Sequence, residues 1–509
     1  MQRHRHRRPL RAALGLAVAA LTLGACTNLS GAPAQDGGSA RASSAGGAAA
    51  KPNIAFVLTD DLSTNLLPHM PQVKELQKDG TSFSQYFVTD SLCCPSRSSI
   101  LTGEFPHNTG VFTNNGSDGG YGAFNRNGDE ARCYAPALRK AGYRTGFMGK
   151  YLNGYLPADE HGTDSPYVPP GWDEWDTAGN GYPEFGYNLN ENGKVVPYGH
   201  GPDDYLTDVV ARKATSFIDS AAADKKPFML ELATFAPHSP STPAPRDADS
   251  FLGLEAPRTP AFDKPSAPTP EWQSGLKPLS AEEQRSIDEK FAERVRSVQA
   301  VDDMIGRVRS ELKEKGLDDD TYIVFSSDNG FHMGEHRLRP GKQTAYDTDI
   351  RVPLVVAGPH VPAGKEVAEP AENIDLSPTF QDLAGTTPAP TVDGRSLVPL
   401  LHGDSVPDWR DAILVEHHRP AFKKSDPDAA PDTSGNPPSY EAIRTREALW
   451  VEYADGEREY YDIKNDPDQL HNRAPALTES ERDRLHATLT ALEKCEGTEA
   501  CGKAARIER

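Results

Sequence analysis

The run Asn53–Thr59 (NIAFVLT), which ends in the paired acids Asp60-Asp61, constrains the fold more than any other stretch. It is short and almost wholly apolar, with no alternation of polar and apolar positions. Such a run fits a strand covered on both faces, as in the parallel sheet of an α/β layer structure. Tyr143–Met148, Phe228–Phe235, Tyr322–Ser327 and Val352–Ala357 repeat the character, and helical patterns lie between them. The clearest helix is predicted from Ala281 to Lys315. Ser280 and Glu283 form a capping box at its start and Gly316 is its stop. Ile287, Phe291, Val295, Val298, Ile305, Val308 and Leu312 make one apolar stripe that reads as core packing. The expectation is a large α/β domain over residues 51–405, with a mainly parallel sheet between helices. The proline-rich residues 240–279 read as a surface excursion that shapes a cleft. Beyond, short strands at Ala412–Glu416, Leu449–Tyr453 and Glu459–Ile463 flank a Pro/Ser/Asp-rich insertion, Asp426–Pro438, and a helix is expected over Thr478–Leu492. Residues 406–509 are thus expected to form a smaller C-terminal α+β domain with an antiparallel sheet.

Ligands of open parallel sheets bind outside the carboxyl ends of the strands. Four of the expected strands deliver polar residues there: Asp60-Asp61, Lys150, His238 and Asp328-Asn329-Gly330. An isolated aspartate pair is usually a loop cap and an isolated histidine usually structural; arrival from separate segments is what favours a site. Asp60, Asp61, Asp328 and Asn329 offer hard oxygen donors, which suit Ca2+ or Mg2+ and disfavour zinc.

The segment Cys93-Cys94-Pro95-Ser96-Arg97 leads into Leu101-Thr102-Gly103. Pro95 suits a first helical turn and Thr102-Gly103 a stop. Cys93 would then stand at the positive end of a helix, a ready anion site, with the Arg97 fork of donors beside it. A zinc or disulfide pair is the bland alternative, but adjacent cysteines chelate poorly and no CxxC or His-rich partner segment follows.

Cys93-x-Pro95-Ser96-Arg97 with Leu101-Thr102-Gly103 resembles the signature of the type I sulfatases. The resemblance implies an alkaline-phosphatase-like fold and post-translational oxidation of Cys93 to Cα-formylglycine by a formylglycine-generating enzyme. It implies metal ligation by Asp60, Asp61, residue 93, Asp328 and Asn329. Arg97 would hold the aldehyde hydrate, Lys150 and Lys342 would clamp sulfate, and His238 or Lys342 would protonate the leaving alcohol. In that family one hydroxyl of the hydrate attacks sulfur, and the other then loses a proton to expel sulfate. Many members carry histidine two residues after the Gly149-Lys150 lysine, where this chain has Leu152. Gly149-Lys150-Tyr151-Leu152-Asn153 instead resembles the branch of N-acetylglucosamine-6-sulfatases and extracellular heparan 6-O-endosulfatases. Pro106-His107-Asn108, Phe331-His332 and Glu459-Tyr460-Tyr461-Asp462 point the same way. His107 and His332 are supporting or leaving-group candidates, His332 also a substrate contact, with an ordinary surface role as the alternative. The implied substrate is a sulfated small molecule or glycan terminus, or an aryl sulfate. A phosphate or phosphonate monoester hydrolase of the same fold, and a non-catalytic surface lipoprotein that binds sulfated glycans, are the rival readings.

The formal charge is −20, and without residues 1–25, which carry five arginines and no acid, 49 basic residues face 74 acidic ones. That balance argues against nucleic acid as a partner. Arg3, Arg5, Arg7, Arg8 and Arg11 precede an apolar run too short to span a bilayer, which reads as an export signal. Leu23-Gly24-Ala25-Cys26 resembles a bacterial lipobox and Arg7-Arg8 a twin-arginine signal, so membrane attachment is expected only through lipid on Cys26. An ordinary secretory signal is the alternative. Residues 26–50 read as a flexible Gly/Ala/Ser tether. Cys495 and Cys501 are spaced for a local disulfide in an exported protein. Cys94 and Cys133 are left over, either paired or free.

Overall fold

The computed structural model describes residues 51–158, 166–419, 428 and 432–507. The expected export signal, the tether and Cys26 lie outside them. A ten-stranded sheet runs through the large layer. At its centre, in spatial order, stand Thr321–Ser327, Asn53–Thr59, Phe228–Ala233, Arg144–Lys150 and Glu174–Ala178, each parallel to its neighbour.

Asn53–Thr59 is buried at every position, and its alternate side chains feed two different cores. Ile54, Phe56 and Leu58 pack with Ile100, Leu101 and Phe380, whereas Ala55 and Val57 pack with Val209, Phe217, Val295 and Val298. Two-sided burial is why the strand reads as a continuous apolar run. The long helix is Ala281–Glu314, and its capping box is formed: Ser280 accepts from the Glu283 N–H, and Glu283 from that of Ser280.

The fifth expected strand departs from the parallel pattern. It spans Leu354–Ala357 and runs antiparallel to both Thr321–Ser327 and Thr81–Phe83. Its apolar composition reports burial, and burial says nothing about direction.

The C-terminal region carries a four-stranded antiparallel sheet in simple meander order: Ala412–His417, Tyr440–Thr445, Ala448–Tyr453 and Arg458–Asp462. Its second strand was not expected from the sequence. A helix at Glu479–Leu492, capped by Thr478, packs on this layer together with the Cys495–Cys501 disulfide. Cys94 and Cys133 are both buried and free, so they do not pair. Each behaves as a small apolar core residue in the cluster around Phe124 and Tyr134.

Candidate active site

The helix Cys93–Thr102 is buried along its whole length and closes at Gly103, which adopts a left-handed conformation. Cys93 therefore begins the helix, and its thiol lies at the carboxyl edge of the parallel sheet. It points at Asp60 Oδ1, 3.2 Å away, and lies 4.0 Å from Asp61 Oδ1. Three residues later Ser96 donates to the Asp328 carbonyl, and Asn373 donates to the Ser96 hydroxyl at 2.9 Å. One turn on from Cys93, Arg97 donates Nε to Asp328 Oδ2 at 2.7 Å and Nη1 to the Lys150 carbonyl at 3.0 Å.

The strand ends supply the rest. Asp61 takes a positive φ of 65°, a strained conformation for a side-chain-bearing residue. Its N–H donates to Asp328 Oδ1 at 3.0 Å, and its carbonyl accepts from buried Arg294. Gly149 has φ +107°, and a Cβ there would stand 1.9 Å from the Ala233 carbonyl oxygen. Only glycine permits this turn beside the neighbouring strand, and the turn delivers Lys150 to Asp60 at 2.6 Å. His238 follows the Phe228–Ala233 strand. Its Nδ1 faces the Ser239 carbonyl at 2.8 Å, and its Nε2 faces Asp428 Oδ1 at 2.8 Å and Asp61 Oδ2 at 3.7 Å. Both ring nitrogens therefore face acceptors, as an imidazolium requires. Lys342 donates to Asp61 Oδ1 at 2.7 Å and to Cys93 Sγ at 2.8 Å.

The electrostatics follow from burying many charges together. Burial opposes ionisation of Lys150 and Lys342, but the carboxylates around them win and hold both lysines charged, well above their ordinary range. His238 is raised in the same way: burial pulls it down, and Asp61, Asp60 and Asp428 more than compensate. Asp328 falls below its ordinary value because Arg97 and Lys150 outweigh its burial. Burial, and then the charges of Asp328, Asp428 and Asp60, push the Cys93 thiol well up. An unmodified cysteine here is a protonated thiol, and the thiol is a poor nucleophile.

The donor set fits a hard divalent cation. Ligand atoms of Asp60, Asp61, Cys93 and His238 lie within 4.8 Å of one another. Among the described residues, Asn329 Oδ1 is buried beside them without a hydrogen-bond partner, while its Nδ2 donates to Asp61 Oδ1 at 2.7 Å. Asp328 stands at the rear of the cluster. Its Oδ1 accepts the Asp61 and Asn329 N–H groups and its Oδ2 accepts Arg97.

Of the residues expected at the site, Asp60, Asp61, Cys93, Arg97, Lys150, His238, Asp328, Asn329 and Lys342 come together. His332 is buried and bonded through Nδ1 to Asp349 at 3.0 Å. His107 bonds Glu416 and the Cys495 carbonyl, both at 2.9 Å, and so joins a short helix to the C-terminal layer. Leu152 packs into the core. Sequence reasoning missed Asp428, Asn114, Asn153 as a contact, and Tyr182. Asn114 and Asn153 donate to Asp428, and the Tyr182 ring lies 5.0 Å from Lys150 Nζ and 4.6 Å from the His238 ring. Asp428 sits in the stretch read as a polar insertion, and nothing local sets it apart from a solvated acid.

Comparison with known proteins agrees with this arrangement. The family described as Sulfatase matches residues 52–386, and the C-terminal family of N-sulphoglucosamine sulphohydrolase matches 334–495. The N-acetylglucosamine-6-sulfatase of Homo sapiens is 34% identical over 88% of this chain and 85% of its own length. The extracellular sulfatase SULF-1 homolog of Drosophila melanogaster is 37% identical over 72% of this chain, but the match spans only 33% of that longer protein. A solved structure in complex with its substrate D-glucosamine-2-N,6-O-disulfate superposes with a TM-score of 0.71 at 23% identity, covering 87% of this chain and 98% of that one. It places the fold among the alkaline-phosphatase-like sulfatases. With the family match across most of the chain, this protein belongs to the sulfatase family of sulfuric ester hydrolases.

Proposed function

We propose that this chain releases sulfate from a sulfated sugar, with residue 93 as the nucleophile position. One observation carries the reading. Cys93 is fully buried, 2.8 Å from Lys342, in a cluster with Asp60, Asp61 and His238, at the start of a buried helix. Charged donors thus converge where an anionic ester would meet the nucleophile. The names of the relatives favour a sulfated glucosamine as the sugar, and the extracellular relatives favour export. Lipid on Cys26 would then tether the domain outside the membrane. Among the described residues no helix is long and apolar enough to cross a bilayer.

Cα-formylglycine, when formed from Cys93 by a formylglycine-generating enzyme, supplies a hydrated aldehyde oxygen as nucleophile, and Ca2+ or Mg2+ supplies charge neutralisation. Asp60, Asp61, Asp328, Asn329 and residue 93 would hold the ion. The chain's own groups do the remainder. Arg97, fixed by Asp328 and the Lys150 carbonyl, orients residue 93. Lys150 and Lys342 donate to sulfate oxygens. His238, held as an imidazolium, gives its Nε2 proton to the leaving alcohol, with Lys342 as the other candidate donor. His332 acts at one remove, through Asp349, whereas His107 joins a short helix to the C-terminal layer.

Two measurements test this together: the mass of the peptide spanning residue 93, and release of sulfate from glucosamine 6-sulfate and an aryl sulfate compared with phosphate monoesters. An aldehyde mass with sulfate turnover is the expected result. A thiol mass without turnover would make the protein a glycan binder. Phosphatase turnover far above sulfatase turnover would assign it the neighbouring chemistry on the same fold.

A further inference from the structure

The anion seat described above already contains an anion that belongs to the chain. Asp428, between the first two strands of the C-terminal sheet, is buried, and the donors to its carboxylate include N–H groups of four described residues. Oδ1 accepts Lys342 Nζ at 2.6 Å and His238 Nε2 at 2.8 Å. Oδ2 accepts Asn114 Nδ2 at 2.7 Å and Asn153 Nδ2 at 2.9 Å. Its backbone carbonyl is held by Gln343 Nε2 at 3.2 Å. Lys342 and His238 are the groups that the proposed function assigns to the sulfate ester.

The position is as telling as the partners. Asp428 Oδ1 lies 3.7 Å from Cys93 Sγ. Reacting atoms must approach to about 3–3.5 Å, so this oxygen stands in the space that the sulfur group of an ester must enter. A carboxylate and a sulfate are both oxyanions that accept charged N–H donors. They cannot share Lys342 and His238 at this spacing without strong like-charge repulsion. Asp428 spans two cations and two neutral amides that face the nucleophile position.

We propose that Asp428 is an internal competitor for the sulfate seat, displaced by substrate and returning as sulfate leaves. The inference rests on the proposed sulfatase reading. It makes Asp428 a specificity-determining residue. Bare sulfate brings only its oxyanion and must break the hydrogen bonds of the resident carboxylate. A sulfated sugar brings contacts to its ring as well and meets that cost more easily. The product thus holds the site weakly while the ester still enters.

The test compares the calcium-loaded, matured wild-type enzyme with Asp428→Ala and Asp428→Asn, the second keeping the side-chain shape. Inorganic sulfate is the probe, read by calorimetric binding and by its inhibition constant against an aryl sulfate. Both variants are expected to bind sulfate at least about tenfold tighter than wild type, because the competing charge is gone. Sulfate affinity that is unchanged or weaker in both variants overturns the inference. If kcat also falls and its pH profile shifts, Asp428 is instead a positioning partner of His238. Failure of the sulfatase reading would look different: the wild-type enzyme would turn over no sulfate ester, whatever its affinity for sulfate.

Discussion

Lys342 Nζ lies 2.8 Å from Cys93 Sγ, closer to that sulfur than any other described charged group. Lys342 lies far along the chain from the nucleophile position, and a short β-bridge from His332 to Gly341 brings it back. Its charge is kept by Asp428 and Asp61 against the cost of burial. Lys342→Ala is therefore expected to lower kcat/KM by about 10²–10³-fold, the scale of losing one preorganised charged donor. Steady-state kinetics on an aryl sulfate reads this directly. A loss below tenfold would remove Lys342 from the sulfate contacts.

Cys93→Ala should abolish turnover and leave the fold intact, because no other group sits where the nucleophile must. Cys94 points the other way, into the core with Ile100 and Phe124, and its thiol is pushed up to about 12, mainly by burial. Cys94→Ala should therefore cost on the order of 1 kcal/mol of stability through lost packing and keep most of the activity. Activity assays and thermal melts on both variants separate the two roles. An inactive Cys94→Ala beside an active Cys93→Ala would reverse the assignment.

Removing divalent ions should inactivate the enzyme, with Ca2+ or Mg2+ restoring it and zinc failing. Three carboxylates and the Asn329 Oδ1, which has no hydrogen-bond partner among the described residues, are hard oxygen donors. Asn329→Ala should weaken ion binding while sparing the hydrogen bonds of Asp328 to Arg97 and Asp61. Elemental analysis of the dialysed variant checks it, and full metal content there would exclude Asn329 as a ligand.

Much of this site is legible in the sequence because its parts are local. The two-sided strands announce themselves by unbroken apolar runs, and the acids, Lys150 and His238 follow those strands directly. What escapes is what tertiary packing decides. The reversed direction of Leu354–Ala357 leaves no mark, since a buried strand has the same composition either way. Tyr440–Thr445 (YEAIRT) carries a buried Arg444 among its apolar residues and follows a proline-rich stretch, so its apolar signal is diluted. Asp428 is hardest: it stands among lysines and prolines that read as solvated, and only the fold carries it to His238.

His107 offers a pH-dependent test of how the C-terminal layer is held. Burial alone would lower it, but the hydrogen bond and charge of Glu416 prevail and raise it from 6.5 to about 9. The folded protein thus binds this proton more tightly than the unfolded chain. The contribution is fully present below about pH 6.5 and is lost as pH rises through about 9, on the order of 3 kcal/mol. Urea unfolding of wild type and His107→Gln should differ most at pH 6 and converge by about pH 10. A constant difference across that range would show that the pair contributes by shape alone.

The burial of Cys93 also bears on the order of maturation. Its thiol has no exposed surface in the closed domain, so a modifying enzyme must reach it before folding finishes. A twin-arginine signal at Arg7-Arg8 would carry the protein outward already folded. Oxidation of Cys93 and folding then both belong to the inside of the cell, and lipid on Cys26 follows export. Replacing Arg7 and Arg8 with lysine should strand a matured, active enzyme inside. Cell fractionation combined with the mass of the residue-93 peptide decides the matter. Normal export of the variant, or a retained protein that carries an unmodified thiol, would contradict this order.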